Sequence, residues 1–388
     1  MTSMKILFLA PRHPFPAQRG DQSRVLHLVN ELSKRANVTL VCFGHGDLPV
    51  DGVRHVAVRR SSLGAVRANL LHPGPLMPLQ TRLYLDLGMA RTVAAELDGG
   101  GYDVVHATTA RLAPYLPRNS SGIHRHLDLI DALSVNMASR ASAEHGFKRT
   151  IFRTESALMR RFESAAVAAA DSSSLVSEGD RRAAPGLERT EVIPMGVDLH
   201  RFPFRSPSDR PPVLLFFGNL GYFHNCEPAR FVAQEVIPRV RAEVPDARLR
   251  IAGARPAKAL LALKGLPGVD LVGPVVDMAE ELHTASVAVV PMFTGSGIKT
   301  KVLEAFSSGT PVVANALGVQ GVEGAEADIH YLGAEDAAGL AAACLTLIRD
   351  RGRAEVLAVA GRALVEERYT WAAQAERLLA LYRRDRCG

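Results

Sequence analysis

Short unbroken apolar runs alternate along the chain with stretches in which hydrophobic residues recur every three or four positions. This alternation predicts a repeated strand–helix plan. In the first half Ile6–Leu9, Val38–Phe43, Val53–Val58 and Asp103–His106 read as strands, as does the small-residue stretch Ser172–Ser174. A helix starting at Asp21 places Val25, Leu28, Val29 and Leu32 on one face, and Asp86–Leu97 and Phe147–Ala170 read as further helices. The second half restarts with Val213–Phe217 and continues through Leu249–Ala252, Val269–Val272 and Ser286–Val290. Continuous rather than alternating apolar runs suit parallel strands covered on both faces. A doubly wound α/β sheet follows, with its ligand crevice at the carboxyl ends of the strands.

At 388 residues the chain exceeds one ordinary core. Pro203, Pro207, Pro211 and Pro212 mark a linker, which divides the chain into domains 1–203 and 207–369. The segment 370–388, with Leu378, Leu379 and Tyr382 on one face, is an amphipathic helix. Hydrophobic content of 47% and charged content of 22% are those of a globular α/β protein. No apolar run reaches membrane-spanning length, and the first strand is too short for a signal peptide, so a cytoplasmic location is expected. Cys42, Cys226, Cys344 and Cys387 are scattered, which argues against a disulfide framework or a structural zinc.

Charge is unevenly placed. Up to Arg205 there are 26 Lys and Arg against 19 Asp and Glu, a balance of +7, whereas the remainder has 20 against 21. Lys148, Arg149, Arg153, Arg160 and Arg161 form the densest basic cluster, interleaved with Glu155 and Glu163. It reads either as a solvated helix with i,i+4 pairs or as a peripheral contact with an anionic membrane surface. With 6% aromatics and no accompanying motif, no nucleic-acid partner is expected.

The richest segment is Val289–Asn315, which reads as strand, glycine loop, short helix, tight turn and second strand. Gly295 and Gly297 allow close backbone approach, with Ser296 and Ile298 completing the loop. The helix spans Thr300 to Ser308, with Val302, Ala305 and Phe306 inward, and Gly309-Thr310-Pro311 ends it. A loop feeding a helix N-terminus favours anions, and Lys299 and Lys301 reinforce that preference. Glu304 is poorly suited to phosphate but suited to accepting hydrogen bonds from sugar hydroxyls. Together they describe a nucleotide or nucleotide-sugar site.

Glu304, Ala305, Gly309, Pro311, Val312 and Val313 resemble the donor motif of retaining family-4 glycosyltransferases of the GT-B fold. The resemblance implies two Rossmann-like domains facing a cleft, a nucleotide-diphosphate sugar donor and no cofactor. It also implies a glycan, lipid-linked or small-molecule acceptor, and a final helix that returns to the first domain. Two departures stand out. The motif's first glutamate falls at Ser296, and Asn219 and His224 occupy the positions of an arginine and a lysine that grip the diphosphate. Arg255, in Gly253-Ala-Arg-Pro256, and Lys301 are the replacements at hand. A subgroup of these transferases combines Gly-Asn, Gly-Ala-Arg-Pro and Gly-Ser-Gly-Ile-Lys-x-Lys as this chain does.

In the first half, Gly20 and Arg24 resemble the glycine loop after the first strand, which approaches donor or acceptor. His106 and the cluster Ile123–Asp131 supply acceptor-side candidates. Asp128 is the first choice for accepting a proton, with His126 beside it. Asp131 reads either as a functional carboxylate or as a helix N-cap, and His106 as either acceptor-side or core. There is no Asp-x-Asp, His-Glu-x-x-His, Walker lysine loop or Gly-x-Ser-x-Gly elbow, which points to a metal-independent reaction. Two alternatives stay open: a pseudo-glycosyltransferase or nucleotide-sugar epimerase on the same fold, and a silent binding scaffold.

Overall fold

A computed structural model describes residues 3–17, 19–60, 77–118, 122–294 and 297–384. The chain forms two compact units, one of Met1–Met195 with Trp371–Gly388 and the other of Gly196–Thr370.

The first unit is a seven-stranded sheet in the order β3-β2-β1-β4-β5-β6-β7. Its strands are β1 Lys5–Ala10, β2 Asn37–Phe43, β3 Val53–Val58, β4 Val104–Thr108, β5 His124–Asp128, β6 Ser172–Leu175 and β7 Glu191–Val192. All pairings are parallel. The winding reverses between β1 and β4, each of which leads outward in one direction. Helix Gly20–Ser33 buries Val25, Leu28, Val29 and Leu32, the face expected from their spacing. Helix Leu87–Gly100 is capped by Asp86, which accepts from Gly88 N and Met89 N, and ends at left-handed Gly101. Helix Trp371–Arg384 belongs to this unit, with Trp371 stacked on His27 at 5.0 Å between ring centroids.

Asp131 is not a helix cap. Helix Leu133–Ala143 starts after Ala132, and its first amides are met by Glu163 from the Gly146–Ala169 helix, with Leu133 N 2.7 Å from Oε1. The cap comes from a residue 30 positions away, so local spacing does not reveal it.

A buried polar group ties this sheet together. Arg24 pairs with Asp128 (Nε–Oδ2 2.6 Å), both at 0% side-chain exposure, and donates to Pro194 O at 3.0 Å. Ser174 Oγ donates to Asp128 Oδ1 at 3.1 Å. Burial pushes the Asp128 pKa up, but the Arg24 and His106 contributions and the hydrogen bonds from Arg24 and Ser174 together outweigh it, and the carboxyl stays below its ordinary value. His106 lies 2.7 Å from the Tyr382 hydroxyl through Nδ1, and burial pushes its pKa down to about 3.

The second unit is a six-stranded parallel sheet in the order β10-β9-β8-β11-β12-β13. Its strands are β8 Val213–Phe217, β9 Arg248–Ala252, β10 Val269–Gly273, β11 Val287–Val290, β12 Val312–Ala314 and β13 Leu332–Gly333. The winding order of the first unit is repeated, with the switch between β8 and β11. The proline-rich stretch is part of this unit rather than a free tether. Arg210, 5% exposed, donates to Leu282 O and Ala285 O at 3.0 Å and to Thr310 Oγ1 at 2.9 Å. The boundary therefore lies at Met195–Gly196, ahead of the prolines. The chain enters and leaves this unit side by side, where Val197 N donates to Tyr369 O at 2.8 Å.

Asp128→Asn leaves a buried guanidinium without its counter-charge and should cost about 3–5 kcal/mol. For a protein of this class that lowers Tm by on the order of 10 °C. Scanning calorimetry of the variant checks this, and an unchanged Tm would remove the ion pair from the fold's foundations.

Candidate active site

In the second unit the strand ends that flank the switch point converge on one helix. β8 runs into Gly218-Asn219-Leu220 and β9 into Gly253-Ala254-Arg255. These loops are zipped together by Gly218 N to Ala252 O at 3.1 Å and Leu220 N to Ala254 O at 2.9 Å. The approach is so close that a Cβ on Gly253 would lie 1.7 Å from Gly218 O. A Cβ on Gly218, whose φ is +143°, would lie 3.3 Å from Lys301 Nζ. Glycine at both positions brings bare backbone up to the lysine.

β11 delivers the chain to the helix Thr300–Ser308. Asn315, just past β12, clamps the strand exit by accepting from Met292 N at 2.9 Å and donating to Met292 O at 2.8 Å. The helix buries Val302, Leu303, Ala305 and Phe306 and closes on left-handed Gly309, as its spacing predicts. No side chain caps its N-terminus at Lys299, which leaves the positive end of the helix available to an anion. Lys299 itself is 8% exposed, with its ammonium 2.9 Å from Gly297 O.

Lys301 and Glu304 stand one turn apart on this helix, both half-buried, and they do not pair. Lys301 donates to Asn225 Oδ1 at 2.8 Å and lies 4.7 Å from the Phe216 ring centroid. Burial pushes its pKa down to about 7, against the opposing pull of Glu304. Burial likewise raises Glu304 to about 7, opposed by Arg201 and Lys301. Glu304 makes no hydrogen bond or ion pair with any of the described residues. A desolvated carboxylate without donors is costly, and hydroxyl donors from a ligand would offset that cost. An uncapped helix end, a lysine and an unsatisfied carboxylate side by side suit a ligand with both phosphate and hydroxyl groups.

Two family models match the chain in tandem. Glycosyltransferase Family 4 covers residues 19–201, and Glycosyl transferases group 1 covers residues 211–350. The chain belongs to the family-4 glycosyltransferases. A glycogen synthase of Mycobacterium tuberculosis is 28% identical over 301 residues, covering 72% of this chain and 68% of that protein. An alpha-maltose-1-phosphate synthase of Mycolicibacterium smegmatis is 27% identical over 435 residues, covering 98% and 99% of the two chains. HepE of Anabaena, solved in complex with UDP-glucose, superposes with a TM-score of 0.65 at 17% identity, covering 97% and 98%. The fold is GT-B, with two Rossmann-like domains, and the protein is a transferase.

Against the family pattern, both replaced positions are uncharged. The side chain of Asn219 accepts from Gly221 N at 3.1 Å, and its carbonyl accepts from Asn225 Nδ2 at 2.9 Å, so it braces the loop. His224 Nδ1 lies 2.7 Å from Thr294 Oγ1, and burial followed by the Lys299 charge lowers its pKa. Arg255 is exposed at left-handed φ +55°, and its guanidinium has no partner among the described residues. Gly297 is buried at φ +74°, Ile298 and Thr300 are half-buried, and Gly295 and Ser296 lie outside the described residues. Sequence reasoning overlooked Asn225, which holds Lys301, and Arg201, which bears on Glu304. The asparagine's place beside His224, in the first turn of the helix Phe223–Phe231 after β8, was the available signal.

The glycosyltransferase's first unit treats its candidates differently. Gly20 is exposed at the start of its helix, with open space where a Cβ would point. Asp131 is half-buried. Arg24, His106, His126 and Asp128 are all at 0% exposure. His126 bridges Ser172 Oγ at 2.7 Å and Ser174 Oγ at 3.0 Å, and burial, then His106, drives its pKa well down. The expected acid–base pair of Asp128 and His126, and the phosphate-binding Arg24, are thus placed within the core of this unit. Asp128 is already committed to Arg24, which corrects its reading as a substrate-facing base. Among the described residues no group of three or more His, Cys, Asp or Glu is placed to hold a metal ion.

Proposed function

We propose that this enzyme transfers a glycosyl group from a nucleoside-diphosphate sugar to a hydroxyl-bearing acceptor, with retention of anomeric configuration and without metal. The single observation behind this reading is Glu304, a half-buried carboxylate without donors one turn from an uncapped helix N-terminus. Ribose hydroxyls would donate to Glu304, while the amides at Thr300 and Lys301, the Lys301 ammonium and Arg255 would face the diphosphate. In the transfer the bond from the anomeric carbon to phosphate oxygen breaks and a bond to the acceptor oxygen forms, with loss of the acceptor proton. Charge accumulates on the leaving diphosphate, where fixed donors are most effective. The neighbour solved with UDP-glucose supports a donor of this class. Retention rests on membership of the family-4 group.

The acceptor is a glycan, a lipid-linked sugar or a small molecule. With Ser296 in place of the motif's first glutamate, the donor sugar is recognised differently from the common pattern. Phe147, 80% exposed, begins the basic helix beside Lys148 and Arg149, which supports peripheral contact with anionic lipid from the cytoplasmic side. No helix among the described residues is long and apolar enough to cross a membrane. An epimerase would consume donor in the absence of acceptor, and product analysis with and without acceptor separates the two.

Glu304→Gln keeps the shape and removes the charged acceptor. It should lower kcat/KM about tenfold or more, a loss of about 1.5–3 kcal/mol, with Tm preserved or raised. Steady-state kinetics at equal folded fraction test this, and unchanged kcat/KM would end the ribose assignment.

Proton linkage offers a second test. Phosphate charge raises the Lys301 pKa from about 7, so binding above pH 7 takes up a proton. Hydroxyl donors lower the Glu304 pKa from about 7, so binding below pH 7 releases one. Calorimetry in buffers of differing ionisation enthalpy should show uptake at pH 8, release at pH 6 and a reversal near neutrality. Lys301→Ala should abolish the uptake alone.

Turnover should survive exhaustive EDTA treatment. Activity that is lost and then restored by magnesium or manganese would contradict the metal-free reading.

A further inference from the structure

The first unit contains a second concave site, at the carboxyl ends of β1, β2 and β3. It is a cavity of about 510 Å³ lined by Arg12, Phe43, His45, Arg59, Arg60 and Tyr84. Three guanidinium groups converge on one tyrosine. Arg12 Nη2 lies 3.2 Å from the Tyr84 hydroxyl, and the Arg60 and Arg111 carbons lie 5.2 and 5.4 Å from its ring centroid. Arg60 also stands 5.6 Å from the Phe43 centroid. Aromatic faces soften such crowding but do not cancel the charge. Asp21, 2.8 Å from Arg12, pairs with this group, and Asp131 also bears on Arg111. Arg59, Arg60 and Arg111 make no ion pair among the described residues.

The sequence offers little local neutralisation. The 34 residues from Gly52 to Leu85 contain five arginines and no aspartate or glutamate. Like charges held together in a concavity at the ends of parallel strands favour an anionic guest, and guanidinium forks match phosphate oxygens in pairs. The excess of Arg12, Arg59, Arg60 and Arg111 over Asp21 and Asp131 is more than one positive charge, which suits a dianion better than a single carboxylate.

We propose that this cavity binds a phosphomonoester carried by the acceptor. That the guest is the acceptor rests on the glycosyl-transfer reading; that it is a phosphomonoester rests on the cavity alone. The chemistry is shared by a soluble sugar phosphate and a lipid phosphate headgroup.

Calorimetry on the full chain tests the proposal with glucose 6-phosphate as probe and glucose as control. Vesicles of phosphatidic acid in phosphatidylcholine form a separate arm. Binding of either phosphomonoester that is weakened in Arg60→Ala, with glucose silent, is expected; vesicle binding that survives Arg60→Ala belongs to the basic helix Gly146–Ala169 and does not support the cavity. Arg60 is exposed, so Arg60→Ala should fold normally, as thermal unfolding will show, and should weaken the probe at least tenfold. Lys301→Ala should leave probe affinity unchanged. Loss of probe affinity in Lys301→Ala with none in Arg60→Ala would place the phosphate in the second unit and overturn the proposal. So would equal binding of glucose and glucose 6-phosphate, or binding of neither phosphomonoester. Failure of the donor reading would instead appear as unchanged kinetics in Glu304→Gln, with probe binding at Arg60 intact.

Discussion

A parallel sheet covered on both faces has no room for water along its strands, so chemistry is confined to their ends. In the second unit the central strands β8 and β11 are almost wholly apolar and buried. Every polar group proposed to meet the donor lies beyond a strand's last residue or in the first turns of the helix that follows β11. The Gly218–Gly253 contact is the sharpest expression of this constraint. It presses two loops into one floor and lets bare backbone approach Lys301 beside its Asn225 and Phe216 contacts.

Burial acts on two ion sets in this protein with opposite results. Arg24 and Asp128 are fully enclosed but bonded to one another, and the carboxyl stays ionised. Lys301 and Glu304 are spaced to pair along their helix, yet Asn225 takes the ammonium and leaves the carboxylate alone. Both then drift toward neutrality near pH 7. The first arrangement is complete without a ligand and serves the fold. The second is incomplete, as expected where local stability is given up for binding.

Much of this was legible in the chain itself. The helix Thr300–Ser308 could be bounded because its periodicity is strong and Gly309 ends it, and the parallel strands followed from their unbroken apolar runs. The lysine–glutamate spacing and the two replaced positions could also be read directly. What could not be read depends on partners far apart in sequence. Asp128 looked like a base at a strand end, but Arg24, 104 residues earlier, claims it. Asp131 looked like a cap, but Glu163 performs that role. The prolines looked like a tether until Arg210 was seen anchoring them.

The chain passes through the second unit before the first is finished. The Tyr382 hydroxyl that meets His106 lies 276 residues beyond it. At translation rates of 5–20 residues per second, the ring waits roughly 15–55 s for that partner. The second unit, whose entry and exit segments adjoin, has all of its own residues once Thr370 is made, before the last helix is complete. The donor half is thus fully translated while the other half still lacks its last helix. Until then β4 lacks the partner of His106, and the helix Trp371–Arg384 is the element that supplies it.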